Sequence, residues 1–512
     1  MKPLFLILLA ITLAVAASAQ PLQSIWDRSG LQDSSEYGGA ILPLGDQNGD
    51  GFADWAVLAF GNGDFTGSEK GYLEFFHGGN PPLTTPYFTL RGDNVTWQMG
   101  DARVLGDVNG DGYVDWYYQE IGLPDYQWWN AVVCFGGPSV DTTHVLRFVL
   151  PMRGGFGPLG DYNGDGYADV ARYDDRGDSL AVYWGSAQPD TIADWILHES
   201  INTDQEAAPA ALGDLNGDGF GDWVSYSPSG TGLFPTYVFL GSAHPDTVPA
   251  YTWPNLPDIP RGVVRDLNGD GYAEIIYDTF PLGSSGVCYG GPTLNPIPDA
   301  TLHYPCDSGI NVVVSAGDIN HDGYNDLILL RDYCDNQSFG FCSLYLGHPW
   351  LNPEPAFTIS GWSDPLNLIG ICTAAGVGDV NGDSIDDIAI GATTSDAWQG
   401  NRGRCVILAG DSSIRAGAHE TPTGIPQRLE VSVYPNPFNA QTTVALEVPW
   451  GVATVTLTTY NVLGQQVAHS TLRAMPGPMR YGYDALNLPS GVYLLRVRAG
   501  SFATTQKLML LK

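Results

Sequence analysis

Seven short segments carry carboxylates and an asparagine at one fixed spacing, D-x-N-x-D-x-x-x-[DE]. The first is Asp46, Asn48, Asp50 and Asp54, and the second is Asp107, Asn109, Asp111 and Asp115. Asp161, Asn163, Asp165 and Asp169 form the third, followed by Asp214, Asn216, Asp218 and Asp222. The fifth, Asp266, Asn268, Asp270 and Glu274, ends on the longer acid. The last two are Asp318, Asn320, Asp322, Asp326 and Asp379, Asn381, Asp383, Asp387. A tight loop can aim side chains 1, 3 and 5 at one point. A backbone carbonyl at position 7 and a carboxylate at position 9 complete an all-oxygen shell. Such a shell suits Ca²⁺, which takes six to eight hard oxygens in flexible geometry. The position-7 residues are Phe52, Tyr113, Tyr167, Phe220, Tyr272, Tyr324 and Ile385. The expectation is one ion per loop, up to seven Ca²⁺.

Position 6 is Gly51, Gly112, Gly166, Gly219, Gly271 and Gly323, the residue that turns most sharply without steric cost. The seventh loop has Ser384 there, and the sixth has His321 in place of the position-4 Gly, so these two sites are expected to be weaker or distorted. An EF-hand shares the first half of the pattern but needs a bidentate Glu at position 12. Position 12 is Val57, Tyr118, Arg172, Ser225, Tyr277, Leu329 and Ile390, and the following residues read as strands. That excludes EF-hand and dockerin readings. Simple Asn-Gly or Asp-Gly turns would not require three acids and an Asn at fixed spacing seven times over.

The loops must be held by a repeating frame. Successive first Asp residues are 61, 54, 53, 52, 52 and 61 residues apart, the length of a propeller blade. Each unit has an apolar stretch before the loop and a second strand after it, such as Asp222–Tyr226. A third strand ends in a small-residue turn, as in Val182-Tyr183-Trp184-Gly185, and a fourth is less regular, as in Pro86–Leu90. Four strands in each of seven units predict an all-β fold, a seven-bladed β-propeller. The seventh unit lacks a clear fourth strand. Leu22–Asp27, ahead of the first unit, is expected to complete it and so remove the exposed edges.

The loops resemble the calcium loops of FG-GAP repeats in integrin alpha subunits and related bacterial proteins, over residues 20–412. That resemblance implies a propeller and Ca²⁺ but names no ligand. After a linker at 413–428 the composition changes. Residues 421–512 have a net charge of +4, whereas the whole chain has 22 basic and 56 acidic residues and a net of −34. Period-two strands, about seven in all, predict a small immunoglobulin-like β-sandwich at 429–512. Three landmarks occur there in order: Tyr434–Asn439, Tyr460–Gln465, and Ser490–Tyr493 with Lys507–Lys512. They resemble the C-terminal sorting domain of type IX secretion cargo, which implies the type IX machinery as a partner. It also implies a secreted or cell-surface location after periplasmic export.

Residues 1–19 read as a signal peptide: Lys2, an apolar run at Leu4–Ala16, and Ala17-Ser18-Ala19 as a cleavage site. No later segment is apolar for long enough to be a transmembrane span. The acid excess argues against nucleic acid as a partner, since phosphates require a basic face. Seven cysteines leave at least one unpaired, and Cys334 with Cys342 could cross-link a hairpin.

No catalytic motif is present: His numbers nine, unclustered, and there is no G-x-S-x-G or HExxH. Asp174, Asp175 and Glu206 lie outside the repeats, but nothing singles them out. The reading is a calcium-binding, non-enzymatic binding or adhesion module for an extracellular glycan or protein. The alternative is a secreted polysaccharide lyase or hydrolase. Tyr126, Trp128 and Trp129 could stack on sugar if exposed, although blade core is the simpler role for Trp128 and Trp129. Two Arg-Gly-Asp triplets, Arg91–Asp93 and Arg176–Asp178, read as turns.

Overall fold

The computed structural model describes residues 22–31, 35–60, 70–92, 97–122, 129–150, 155–173, 179–198, 210–226, 234–256, 260–278, 284–303, 311–331, 340–349, 351–360, 368, 370–394, 402–415, 429–448, 454–473, 477–486, 488–499 and 502–512. The signal-peptide segment lies outside them. The chain divides into two compact units, Met1–Gly417 and Ala418–Lys512. Among the described residues all regular elements are strands, and no helix is long and apolar enough to cross a membrane.

In the first unit, strand β1 is Ser24–Ser29. Sheet one follows with β2 (Tyr37–Gly45), β3 (Asp54–Ala59), β4 (Tyr72–Phe76) and β5 (Phe88–Arg91). Sheet two has β6 (Trp97–Gly106), β7 (Asp115–Gly122), β8 (Trp129–Cys134) and β9 (Val145–Leu150). Sheet three has β10 (Phe156–Gly160), β11 (Asp169–Tyr173), β12 (Ser179–Tyr183) and β13 (Trp195–His198). Sheet four has β14 (Ala210–Gly213), β15 (Asp222–Tyr226), β16 (Phe234–Phe239) and β17 (Tyr251–Leu256). Sheet five has β18 (Pro260–Val264), β19 (Glu274–Asp278), β20 (Ser284–Cys288) and β21 (Ala300–His303). Sheet six has β22 (Asn311–Gly317), β23 (Asp326–Arg331), β24 (Phe341–Tyr345) and β25 (Phe357–Ser360). Sheet seven has β26 (Ile371–Gly378), β27 (Asp387–Ala392) and β28 (Arg404–Leu408). Its fourth strand is β1, antiparallel to β28 with Asp27 opposite Val406.

Every sheet is an antiparallel meander, so the acidic loop always joins its first and second strands. The second strands are buried from end to end in sheets one, six and seven, because both faces are covered. Seven apolar clusters do the covering, each shared by two consecutive sheets. The seventh sheet packs on the first through Ala375, Val377, Ala389 and Ile407 against Tyr37, Trp55 and Phe76. Trp26 of β1 sits among them, edge-on to Trp55 and Phe76 at 5.4 and 4.9 Å. Burying aromatic rings of this size is the largest apolar gain such a seam offers.

The second unit pairs a three-stranded sheet with a four-stranded one. The strands are β29 (Glu430–Tyr434), β30 (Gln441–Val448), β31 (Thr454–Asn461), β32 (Gln466–Arg473), β33 (Gly477–Asp484), β34 (Gly491–Ala499) and β35 (Phe502–Leu510). Their orders are β29-β30-β33 and β32-β31-β34-β35. Val444, Leu457, Leu495, Val497 and Leu508 lie in one core between them. The three sequence landmarks acquire positions here. Asn436 accepts from the Met509 N–H (2.9 Å) and donates to the Lys507 carbonyl (2.6 Å), fastening the first landmark to β35. Asn461 shapes the β31–β32 turn by accepting from the Leu463 and Gln465 N–H groups. The Tyr493 hydroxyl donates to the Pro489 carbonyl (2.7 Å).

Candidate metal centre

The seven acidic loops share one hydrogen-bond scheme. The position-1 carboxylate accepts the N–H groups of positions 5 and 6 in all seven loops, at 2.7–3.2 Å. The position-5 carboxylate caps the N–H of position 7 at 3.0 or 3.1 Å throughout. In six loops the position-3 Asn amide also donates to the position-5 Asp, drawing those side chains together. These short Asx contacts are what Asp and Asn supply to a turn. They fix the side chains of positions 1, 3 and 5 against the loop backbone, and among the described residues only the fifth loop brings its three carboxylates within 4.8 Å of one another.

Position 9 opens the second strand, and its carboxylate is wholly buried in every loop. One oxygen accepts the N–H of loop position 2, from Gln47 to Asp54 (3.0 Å) through Val380 to Asp387 (3.0 Å). In six loops the other oxygen accepts the N–H of the Gly two residues past the third strand: Gly78, Gly136, Gly185, Gly241, Gly347 and Gly410. A Cβ on Gly185 would lie 2.5 Å from the Ala168 carbonyl oxygen, so only glycine permits that approach. The small-residue turn seen in the sequence is therefore the donor to the position-9 acid. Burial raises these carboxyls, to about 7 in Asp115, Asp169, Asp222 and Asp387 and about 8 in Asp326. The two N–H bonds oppose the shift without cancelling it.

The fifth loop is built differently. Glu274 uses one oxygen for the Leu267 N–H (2.7 Å), while its buried Oε1 has no hydrogen-bond partner. Carboxylate oxygens of Asp266, Asp270 and Glu274 lie within 4.8 Å of one another. Burial and these two neighbours push Glu274 up to about 8. A buried oxygen lacking a donor is costly unless something else satisfies it. A hard cation fits that need, and every donor present is a hard oxygen. Arg265 stands where the other loops have a left-handed Gly such as Gly213 (φ 67°), and Asp266 takes the positive φ (33°) instead.

Consecutive loops also touch. The position-8 N–H donates to the position-1 carbonyl of the preceding loop in five places, among them Ala168 to Asp107 (2.8 Å) and Ala53 to Asp379 (2.9 Å). The ring at position 7 lies over the position-4 Gly of the preceding loop: Tyr167 on Gly110, Phe220 on Gly164, Tyr272 on Gly217, Tyr324 on Gly269 and Phe52 on Gly382. This accounts for the two irregular loops. Ile385 replaces the aromatic ring after the sixth loop, and His321 replaces the glycine that the ring would cover. His321 (φ 56°) and Ser384 (φ 69°) keep the left-handed backbone of the residues they replace, and both loops retain the shared scheme. The distortion expected there is absent from the backbone.

The remaining sequence candidates divide. Trp129 opens β8 half-buried against the cluster between sheets two and three, whereas Tyr126 and Trp128 lie outside the described residues. Asp174, Asp175, Glu206 and the Arg176–Asp178 triplet lie outside them as well. The Arg91 guanidinium sits over the Tyr72 ring at 5.1 Å. Cys342 is a buried free thiol, and Cys334, the partner that the spacing permitted, lies outside the described residues. The Cys342 side chain faces the apolar cluster between sheets six and seven, where burial pushes the thiol up to about 12.

Comparison with known proteins identifies two modules. Residues 432–511 match the secretion system C-terminal sorting domain, and residues 373–404 match the FG-GAP repeat. The chain therefore carries FG-GAP repeat sequence and ends in a type IX sorting domain, which marks it for export to the cell surface or for secretion. It is similar to integrin alpha-PS5 of Drosophila melanogaster, 30% identical over 152 residues, covering 26% of this chain and 15% of that one. It is also similar to integrin alpha-V of Gallus gallus, 25% identical over 307 residues, covering 54% of this chain and 28% of that one. The chain thus spans less than a third of either relative. Among solved structures, dimeric latent PorU from Porphyromonas gingivalis matches with a TM-score of 0.15 and 11% identity, covering 90% of this chain and 31% of that one. A likeness that weak carries no argument.

Proposed function

We propose that the first unit is a seven-bladed β-propeller, residues 20–412, closed by β1, and that each acidic loop holds one Ca²⁺. The sorting domain, residues 429–512, is proposed to be an immunoglobulin-like sandwich. The single observation that carries the metal reading is loop five, where a buried, unpartnered Glu274 oxygen stands beside Asp266 and Asp270. The ligands of each ion would be the side chains at positions 1, 3, 5 and 9 and the position-7 carbonyl. Bound ions would stiffen the loops and link metal binding to folding free energy. In this reading the protein is an exported binding module, not an enzyme. Calcium would support the frame, and the surface around it would engage an extracellular glycan or protein. Equilibrium dialysis of the full chain against Ca²⁺ tests the proposal. Several ions per chain, with one fewer in Glu274→Gln, are expected; fewer than one ion per chain would defeat it.

A further inference from the structure

We infer that a cavity between sheets three and four is a binding site for a neutral pyranose residue of a glycan. The inference rests on the binding-module reading and adds a place and a ligand class to it. The cavity measures about 390 Å³, within the range of small-ligand sites. Trp184 and Trp195 of sheet three line it, with Asn163 and Asp165 of the third acidic loop and His244 of the β16–β17 turn. The indole planes are 17° apart with centroids separated by 6.4 Å. Both rings pack in one cluster with buried Tyr162, at centroid distances of 6.4 and 6.1 Å. The Trp184 backbone N–H donates to Asp194 Oδ2 (2.9 Å), tying the residue before Trp195 to Trp184.

The fold does not demand two indoles here. At corresponding positions sheet two has Phe135 with Leu146, and sheet four has Leu240 with Tyr251. Sheet three alone of these holds a Trp pair, half-buried and open to the cavity. A pyranose has an apolar face of C–H groups and a polar rim of hydroxyls. The C–H face packs on the electron-rich indole. The hydroxyls find an acceptor in Asp194 and a donor or acceptor in His244. The exposed Asp194 carboxylate in the lining repels sulfated or uronic glycans and nucleotide phosphates. That selects a neutral sugar.

The test applies the full chain, with Ca²⁺ present, to a glycan array bearing neutral hexose and N-acetylhexosamine oligomers alongside sulfated and uronic ones. Retention of at least one neutral glycan is expected. Trp195→Ala should weaken it by about tenfold or more. Ala243→Arg, at an exposed lining position, should do the same by filling the cavity, with an unchanged melting temperature. Retention of no neutral glycan would overturn the inference, and so would a neutral glycan held equally well by wild type and Ala243→Arg. Either result can arise with calcium binding intact, so this failure is distinct from that of the metal reading.

Discussion

Replacing Arg28 by Ala should loosen the seam between sheets seven and one. Arg28 belongs to β1, yet its guanidinium reaches into sheet one and grips Glu74 with two bonds, Nε to Oε2 (2.6 Å) and Nη2 to Oε1 (2.7 Å). It also donates to the Thr84 carbonyl (2.9 Å) and lies over the Phe76 ring at 5.6 Å. The Glu74 side chain is 2% exposed. Removing the arginine strands a buried carboxylate, which costs about 3–5 kcal/mol. Unfolding entropy near 2.1 cal/mol/K per residue gives roughly 0.9 kcal/mol/K for a unit of this size, so the melting temperature should fall by about 3–6 °C. Asp27→Ala provides the comparison on the same strand. Its partner Arg404 is on the neighbouring strand β28, but Asp27 is 46% exposed, and such a pair contributes about 1 kcal/mol at most. The assay is calorimetry of the full chain and both variants in Ca²⁺ buffer. If Arg28→Ala costs no more than Asp27→Ala, β1 does not bind the seam in the way described.

Three further outcomes are expected. Gly217→Ala should destabilise markedly, because its Cβ would meet the Tyr272 ring at 2.4 Å on a residue with φ 77°; His321→Gly should fold normally, since no ring covers that site. Calorimetry or urea unfolding checks both. In metal-free buffer the position-9 carboxyls bind protons more tightly folded than unfolded. Their contribution to stability is therefore full below the ordinary carboxylate range and is lost as pH rises through about 7, whereas excess Ca²⁺, which requires the ionised form, should reverse that slope. Melting scans from pH 4 to 8 with and without Ca²⁺ read the sign directly.

The seven Asp-rich segments made most of the frame legible, because a loop repeated at near-constant spacing implies a repeated sheet. Even the place of β1 could be read, since the seventh repeat ran out of strand while Leu22–Asp27 had no repeat of its own. The double duty of position 9 was not legible. Asp54 and Gly78 are 24 residues apart, and only the folded third strand brings the glycine N–H to the acid. His321 looked like damage to a site because its compensation, Ile385, lies in the next repeat. The Trp184–Trp195 cavity was hidden for a similar reason: part of its wall, at His244, is supplied by the neighbouring sheet. The sequence drew attention instead to Trp128 and Trp129, where adjacency suggested a cluster and Trp129 turned out to pack on core.

The most direct test of the calcium account is the melting temperature of the full chain in 1 mM Ca²⁺ compared with EDTA. A ligand at about a hundredfold excess over its Kd stabilises by roughly 2.7 kcal/mol per site. Seven occupied loops would then raise the melting temperature by on the order of 20 °C. A rise of this scale, lost on chelation and restored by added Ca²⁺, is the predicted result. Identical melting temperatures in Ca²⁺ and EDTA would contradict it.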